Sequence, residues 1–384
     1  LDSPMAISAT EIFRRHPECY DEHTASLFAS GHDPFQFSGL HFTRETADSM
    51  AINQIHSGAV IMAGSGMCTG GRIPLLVKRG FDGEIITTAA SRELARLIML
   101  DAAGLQEEEA RYQNRRARKR GKSSRDIVPL YTILDALNAL EYYGHTARYN
   151  QALSLAPGIQ ATISDAGHIL GSTCILLELT EDSRQRRVLF SGDLGLDRRP
   201  ILRDPDKAPV ADIVVMETTY GDRQHKQLEP SIEELHEVIN ATVSRGGNVI
   251  IPTFALERAQ EILFYLHAGK QDGILPDFLQ VFLDSPMAIS ATEIFRRHPE
   301  CYDEHTASLF ASGHDPFQFS GLHFTRETAD SMAINQIHSG AVIMAGSGMC
   351  TGGRIRHHLR QHLGREHSSI VFVGYAAHGT LARR

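Results

Sequence analysis

The chain repeats a long stretch of itself without a single difference. Leu1–Ile73 and Leu283–Ile355 are the same 73 residues, and they part only after the shared GSGMCTGGRI. The first copy continues into PLLVKRGF at Pro74, the second into RHHLRQHL at Arg356. Solenoid repeats are shorter, about 20–50 residues, and they diverge because each copy packs in a different place. Identity at every position, exposed ones included, has no packing cause. It points to one segment joined twice, recently or by artefact. It also limits the fold: the second copy occupies the native place, and the first has no obvious sheet to join.

Length allows two or three ordinary domains. The balance of 42% hydrophobic and 22% charged residues is that of a soluble globular chain. No apolar run is long enough to span a membrane. The N-terminal LDSPMAISATEIFRRH lacks the pattern of a signal peptide. The chain starts with Leu rather than Met, which suggests an incomplete reading frame. Its five cysteines reduce to three distinct ones, Cys19/Cys301, Cys68/Cys350 and Cys174, with no C-x-x-C pair. A reducing, cytoplasmic setting is the simplest expectation. The formal charge of −8 is carried by the repeat: each copy has eight acids and four bases, and the remainder balances. Net charge is therefore a weak argument against a polyanionic partner.

Beyond Pro74, the sequence predicts a helix, a short strand EIITT and a second helix with Ser91 as its N-cap. A basic segment follows, with eight Lys/Arg between Arg111 and Arg125. Taken alone it reads as a solvated helix and loop; the other reading is a phosphate-contacting arm. A helix is expected around Tyr131–Tyr143, then strand–turn–strand in GIQATISDAGHILGSTCILLELT. RRVLF and ADIVV read as further strands, and Ile232–Ser244 as a helix. GGNVIIPTFALERAQEILFYLH reads as buried strand, turn and helix, and FLQVFLDSPMAISATEIFRRH repeats that plan. There, Ser290 and Glu293 have the spacing of a capping box. GAVIMAGSGM and SSIVFVGYAAHGT add two apolar strands ending in Gly-rich turns. Strands alternating with helices predict an α/β fold with a largely parallel sheet in this half, with ligands at the carboxyl ends of its strands.

Three polar residues stand at the ends of apolar strands: His168 in SDAGHILGS, Asp193 in LFSGDLG and Glu217 in VVMETTYG. A lone His or Asp in a turn is usually a satisfied structural residue. Here each could reach a shared cleft, and imidazole with carboxylate suits Zn²⁺ or Mn²⁺. The Gly-rich turn Gly346–Gly353 offers backbone N–H groups as a cradle for phosphate, or serves as a tight strand–helix turn. Ser347, Gly348 and Arg354 are its candidate substrate contacts. Arg354, His357 and His358 open the following helix and touch the substrate or are solvated, and Cys350 is a small packing residue.

SDAGHILGS, FSGDLG, METTYGDR, GGNVIIPTFALERAQEIL, LDSPMA, GSGMCTGGRIRHHL and GYAAHGTLARR, in one colinear order from Pro74 to Arg384, resemble the RNA-processing branch of the β-CASP metallo-β-lactamase superfamily. The resemblance implies a four-layer αββα metallo-β-lactamase domain with an inserted β-CASP domain, two zinc ions, and hydrolysis of RNA phosphodiester bonds. It implies that His168 ligates one metal, that Asp193 bridges both, and that Glu217 is a catalytic-cleft acid. The expected organisation is a duplicated piece at 1–73, a partial lactamase domain at 74–215 and a β-CASP domain at 216–384.

The family's H-x-H-x-D-H motif, which supplies most zinc ligands, should stand just before GRIPLLVKRGF. No H-x-H occurs in the 384 residues. Later family motifs, beyond LARR, are missing as well. The expectation is a ribonuclease by ancestry, truncated at both ends and inactive as written. The alternatives are a non-catalytic RNA-binding or scaffolding homologue and another lactamase-fold hydrolase such as a thioesterase; the motifs after Glu217 argue against the last. RNA is the expected partner, with no membrane association and room for a homo-oligomer.

Overall fold

A computed structural model of the chain describes residues 72–120, 126–182, 184–219, 221 and 227–384. The expectations for the first copy therefore fall outside the described residues, as do those for 121–125 in the basic segment. The chain divides into two units. One holds the described residues up to Ser164 with Thr173–Asp193 and Lys207–Met216; the other holds Asp165–Ser172, Leu194–Asp206 and Glu217–Arg384. The loops 165–172 and 194–206, which follow strands of the first unit, group with the second.

In the first unit, α1 (Arg72–Lys78) leads to β1 (Ile85–Thr87) and to α2 (Ala89–Lys119). The Thr88 hydroxyl accepts the Ser91 N–H at 3.1 Å, so Thr88 caps α2, not Ser91. Ser91 is the residue whose N–H is capped, and sequence spacing alone does not separate the two roles. Leu94, Ala95, Ile98, Met99 and Ala103 repeat at three- and four-residue steps and give α2 one buried face. That face packs with Tyr131, with Ala136 of α3 (Ile133–Ala139) and with Tyr143 of β2 (Tyr143–Thr146). A capping box between Thr132 and Asp135 starts α3, so the helix is shorter than the expected Tyr131–Tyr143. A five-stranded sheet follows in the order β3 (Ala152–Ala156), β4 (Ile159–Asp165), β5 (Thr173–Glu181), β6 (Arg184–Phe190) and β7 (Ile213–Val215). β5 and β6 pair antiparallel, β6 and β7 parallel.

The second unit carries α4 (Leu228–Ser244), β8 (Val249–Pro252), α5 (Arg258–Gln271), β9 (Gln280–Leu283), α6 (Pro286–Arg297), α7 (Glu304–Ala311), β10 (Leu322–Phe324), α8 (Thr328–Ala333), β11 (Ala341–Ala345), α9 (Ile355–His362) and β12 (Ser369–Ile370). The sheet order is β10-β9-β11-β8-β12, and all its pairs are parallel. Val342 of β11 lies between Val249 of β8 and Val281 of β9. β8 and β11 are buried at every residue, which is why they read as unbroken apolar runs rather than alternating ones. The largely parallel α/β sheet is thus as expected. The helix after β9 is capped by Ser285, whose hydroxyl accepts the Ala288 N–H. The expected capping box is not formed: Ser290 and Glu293 lie inside α6 and both bind Arg326, at 3.0 and 2.7 Å.

Candidate functional site

The connection after β9 runs outward to β10, while that after its neighbour β11 runs the other way, toward β12. Such a reversal opens a crevice at the carboxyl ends of the strands. Into this end of the sheet project Phe254 after β8, Asp284 and Ser285 after β9, and the Gly346–Gly353 loop after β11. The loop closes on itself. Ser347 Oγ accepts the N–H groups of Thr351 and Gly352 at 3.1 and 3.4 Å, and Cys350 N–H donates to Ser347 O at 3.0 Å. Three of the N–H groups expected to cradle phosphate therefore hold the turn. A Cβ at Gly348 would lie 2.9 Å from the Phe254 ring, and one at Gly353, with φ 72°, would meet Gly346 O at 2.3 Å. Only glycine permits that fold of the loop. Cys350 packs with Ile250, Ala345, Ile355 and Leu359, as expected of a small core residue.

Arg354 turns inward. Its Nη1 donates to Asp284 Oδ1 at 2.7 Å and to Thr325 O at 3.0 Å, and its Nη2 to Arg326 O at 2.6 Å. Asp284 is fully buried and also meets the hydroxyls of Thr325 and Ser331 and, at 2.6 Å, His358 Nε2. Burial alone would raise this carboxyl. The His358, Ser331, Thr325 and Arg354 donors outweigh it and hold the pKa at about 2. His358 is neither solvated nor presented to RNA as expected; it is buried against Asp284, while His357 beside it is exposed. The Asp284–His358 pair escaped the sequence reading, although the acid at the end of FLQVFLD is the same signal that singled out Asp193 and Glu217.

His168 is exposed in the turn after β4, and its backbone N–H donates to Ser172 Oγ at 3.0 Å. Leu170 of the same turn donates its N–H to the buried Glu257, five residues past the end of β8. Burial, then the neighbouring Glu261, pushes the Glu257 carboxyl well above its ordinary range. Glu261 is itself gripped by Arg199 at 2.9 Å and Arg258 at 2.6 Å. These contacts fix the turns 165–172 and 194–206 to the carboxyl side of β8. Glu217 Oε1 accepts the Leu194 N–H at 2.7 Å, so this acid reaches the turn that Asp193 begins. His168 belongs to the second unit and Asp193 to the first. Among the described residues no three or more His, Cys, Asp or Glu side chains gather as a metal site. A dinuclear zinc centre needs more ligands than these, so the described residues do not fit it.

A family model for the Beta-Casp domain matches residues 1–83 and 259–384, stretches that each contain one copy of the repeat. Ribonuclease TTHA0252 of Thermus thermophilus is 34% identical over 359 residues, covering 92% of this chain and 72% of that protein. Transcription termination factor FttA of Methanosarcina mazei is 30% identical over 338 residues, and that of Methanocaldococcus jannaschii 31% over 354. The chain spans about half the length of each of these two factors, 49% and 50%. With the parallel α/β sheet and its Gly-rich carboxyl-end loop in place, the chain belongs to the β-CASP family.

Proposed function

We propose that the chain is by descent a zinc-dependent RNA phosphodiester hydrolase of the β-CASP type, inactive as written, with RNA as its partner. Similarity to a ribonuclease and to transcription termination factors supports an RNA-processing ancestry. The observation that carries inactivity is the ligand set: no H-x-H occurs in the whole sequence, and of the family's metal motifs only His168 and Asp193 stand. Two ligands leave most coordination positions to water, whereas zinc sites use three or four protein ligands.

The test pairs zinc content with cleavage of labelled RNA. Expected are fewer than two zinc ions per chain, no cleavage above background, and no change on Asp193→Asn. Two tightly held zincs, with cleavage abolished by Asp193→Asn, would overturn the reading. The second reading, a non-catalytic RNA-binding homologue, predicts diverged copies of the repeat. The two copies are identical, which favours a joining event, and one long DNA read across the codons of Ile73 and Pro74 decides between the two.

A further inference from the structure

The end of α2 has no packing role. No residue of this helix beyond Ala110 is buried. Yet Arg111–Arg120 holds six basic residues in ten and no acid, and all six are exposed. The stretch is nevertheless braced: Asn114 accepts the Ile127 N–H and donates to the Ile127 carbonyl, both at 2.8 Å. Arg118 pairs with the exposed Asp126 at 3.1 Å, and Arg111 is 4.0 Å from Glu107. Arg115, Arg116, Lys119 and Arg120 make no ion pair among the described residues.

The helix dipole favours cations only within the last turn, so it does not account for Arg111 or Arg115. Arg111, Arg115 and Lys119 follow at four-residue steps, which puts them on one side of the helix about 6 Å apart along its axis. Tyr112, 53% exposed, begins the adjacent row with Arg116 and Arg120. A rigid row of cations in a chain of net charge −8 complements a polyanion. A half-exposed aromatic ring beside it offers a face for base stacking.

We infer that Arg111, Arg115 and Lys119 form a docking ridge for the phosphate backbone of single-stranded RNA, with Tyr112 as a stacking face beside it. This rests on RNA being the partner. It adds a surface outside the strand-end loops that carry His168, Glu217 and Ser347.

The test is binding of a short labelled oligouridylate to the full chain across a salt series. Each phosphate left without its cation lowers the slope of log affinity against log salt by about 0.7 for a single strand, so R111Q/R115Q/K119Q lowers it by about 2. Affinity at low salt falls about tenfold or more, and Tyr112→Ala weakens binding without changing the slope. Gln keeps the helix propensity of Arg and Lys, and an unchanged melting temperature checks that the fold survives. R184Q/R186Q/K207Q removes as much charge from other exposed positions, and its slope stays that of the parent. Equal slope decreases in both triple variants, or parent binding that the ridge variant leaves intact, would overturn the ridge alone. A ridge variant that disperses an oligomer but binds RNA as before makes this a protein interface, which the exposed Val128 and Leu134 nearby would suit. If the parent binds no RNA, the RNA reading fails and takes the ridge with it.

Discussion

The carboxylate of Asp284 gathers groups from three parts of the second unit: Arg354 and His358 at the start of α9, Thr325 after β10, and Ser331 in α8. It thereby fixes the Gly-rich loop that ends at Arg354. Removing one partner of a buried charge pair leaves the other uncompensated, so Asp284→Ala is expected to cost about 3–5 kcal/mol. Ser347→Ala, which removes neutral bonds inside an exposed turn, is expected to cost about 1 kcal/mol. Urea unfolding of both variants measures the two, and similar costs would show that Asp284 is not the centre of the network. The sequence made the polar residues at strand ends visible, but not their partners. Asp284 and His358 are 74 residues apart and meet only once β9 and β11 are adjacent. Arg354 was expected to touch RNA or to be solvated; its inward turn depends on the same distant acid.

At the scale of elements, helix starts were legible in kind and misplaced in detail. Hydroxyl residues stand at Thr88 and Ser91, and again at Ser285 and Ser290, and which one caps is decided by where the preceding strand ends. Ser285→Ala is therefore expected to cost about 1 kcal/mol, and Ser290→Ala, at an exposed contact with Arg326, less than about 0.5 kcal/mol. The buried strands β8 and β11 were legible because they are apolar at every residue. The grouping of 165–172 and 194–206 with the second unit was not, since it rests on Glu257 and Glu261 meeting Leu170 and Arg199. Glu257 also yields a prediction. Its folded pKa is raised above the ordinary 4.5, so its contribution is fully present below that value and is lost as pH rises through the folded one. Glu257→Gln keeps an acceptor for Leu170 without the ionisation. It should raise stability at pH 7 by about 1 kcal/mol, and the gap to the parent should shrink toward pH 4. A gap independent of pH would assign the gain to something other than the carboxyl.

At the scale of the whole molecule, the duplication is visible in the sequence alone, whereas the described sheet draws β10 and β11 from the second copy, β8 and β12 from outside it, and β9 from the residues that lead into it at Leu283. Residues just past the repeat help to anchor that copy, His358 of α9 through Asp284 among them. Three titratable groups give the second unit a stability profile with two acid limbs. The pKa of His362 is held down to about 4, first by burial, then by Arg365 and His358; that of His267 is lowered too, mainly by burial. A histidine whose folded pKa lies below its unfolded value takes up its proton on unfolding. For His362, stability therefore falls as pH drops from about 6.5 to about 4, at up to about 1.4 kcal/mol per pH unit, and His267 acts in the same direction. Asp284 acts lower down. Its folded pKa of about 2 against an ordinary 3.8 means that its contribution is present above about 4 and is lost as pH falls toward 2. Chemical denaturation between pH 2 and 8 should show both limbs in the parent. His362→Gln should flatten the upper limb and leave the lower. Asp284→Asn, though less stable throughout, should flatten the lower limb and leave the upper. If either variant flattened both, the two groups would titrate as one unit, and the Asp284–His358 pair would have to extend to His362 along the same face of α9.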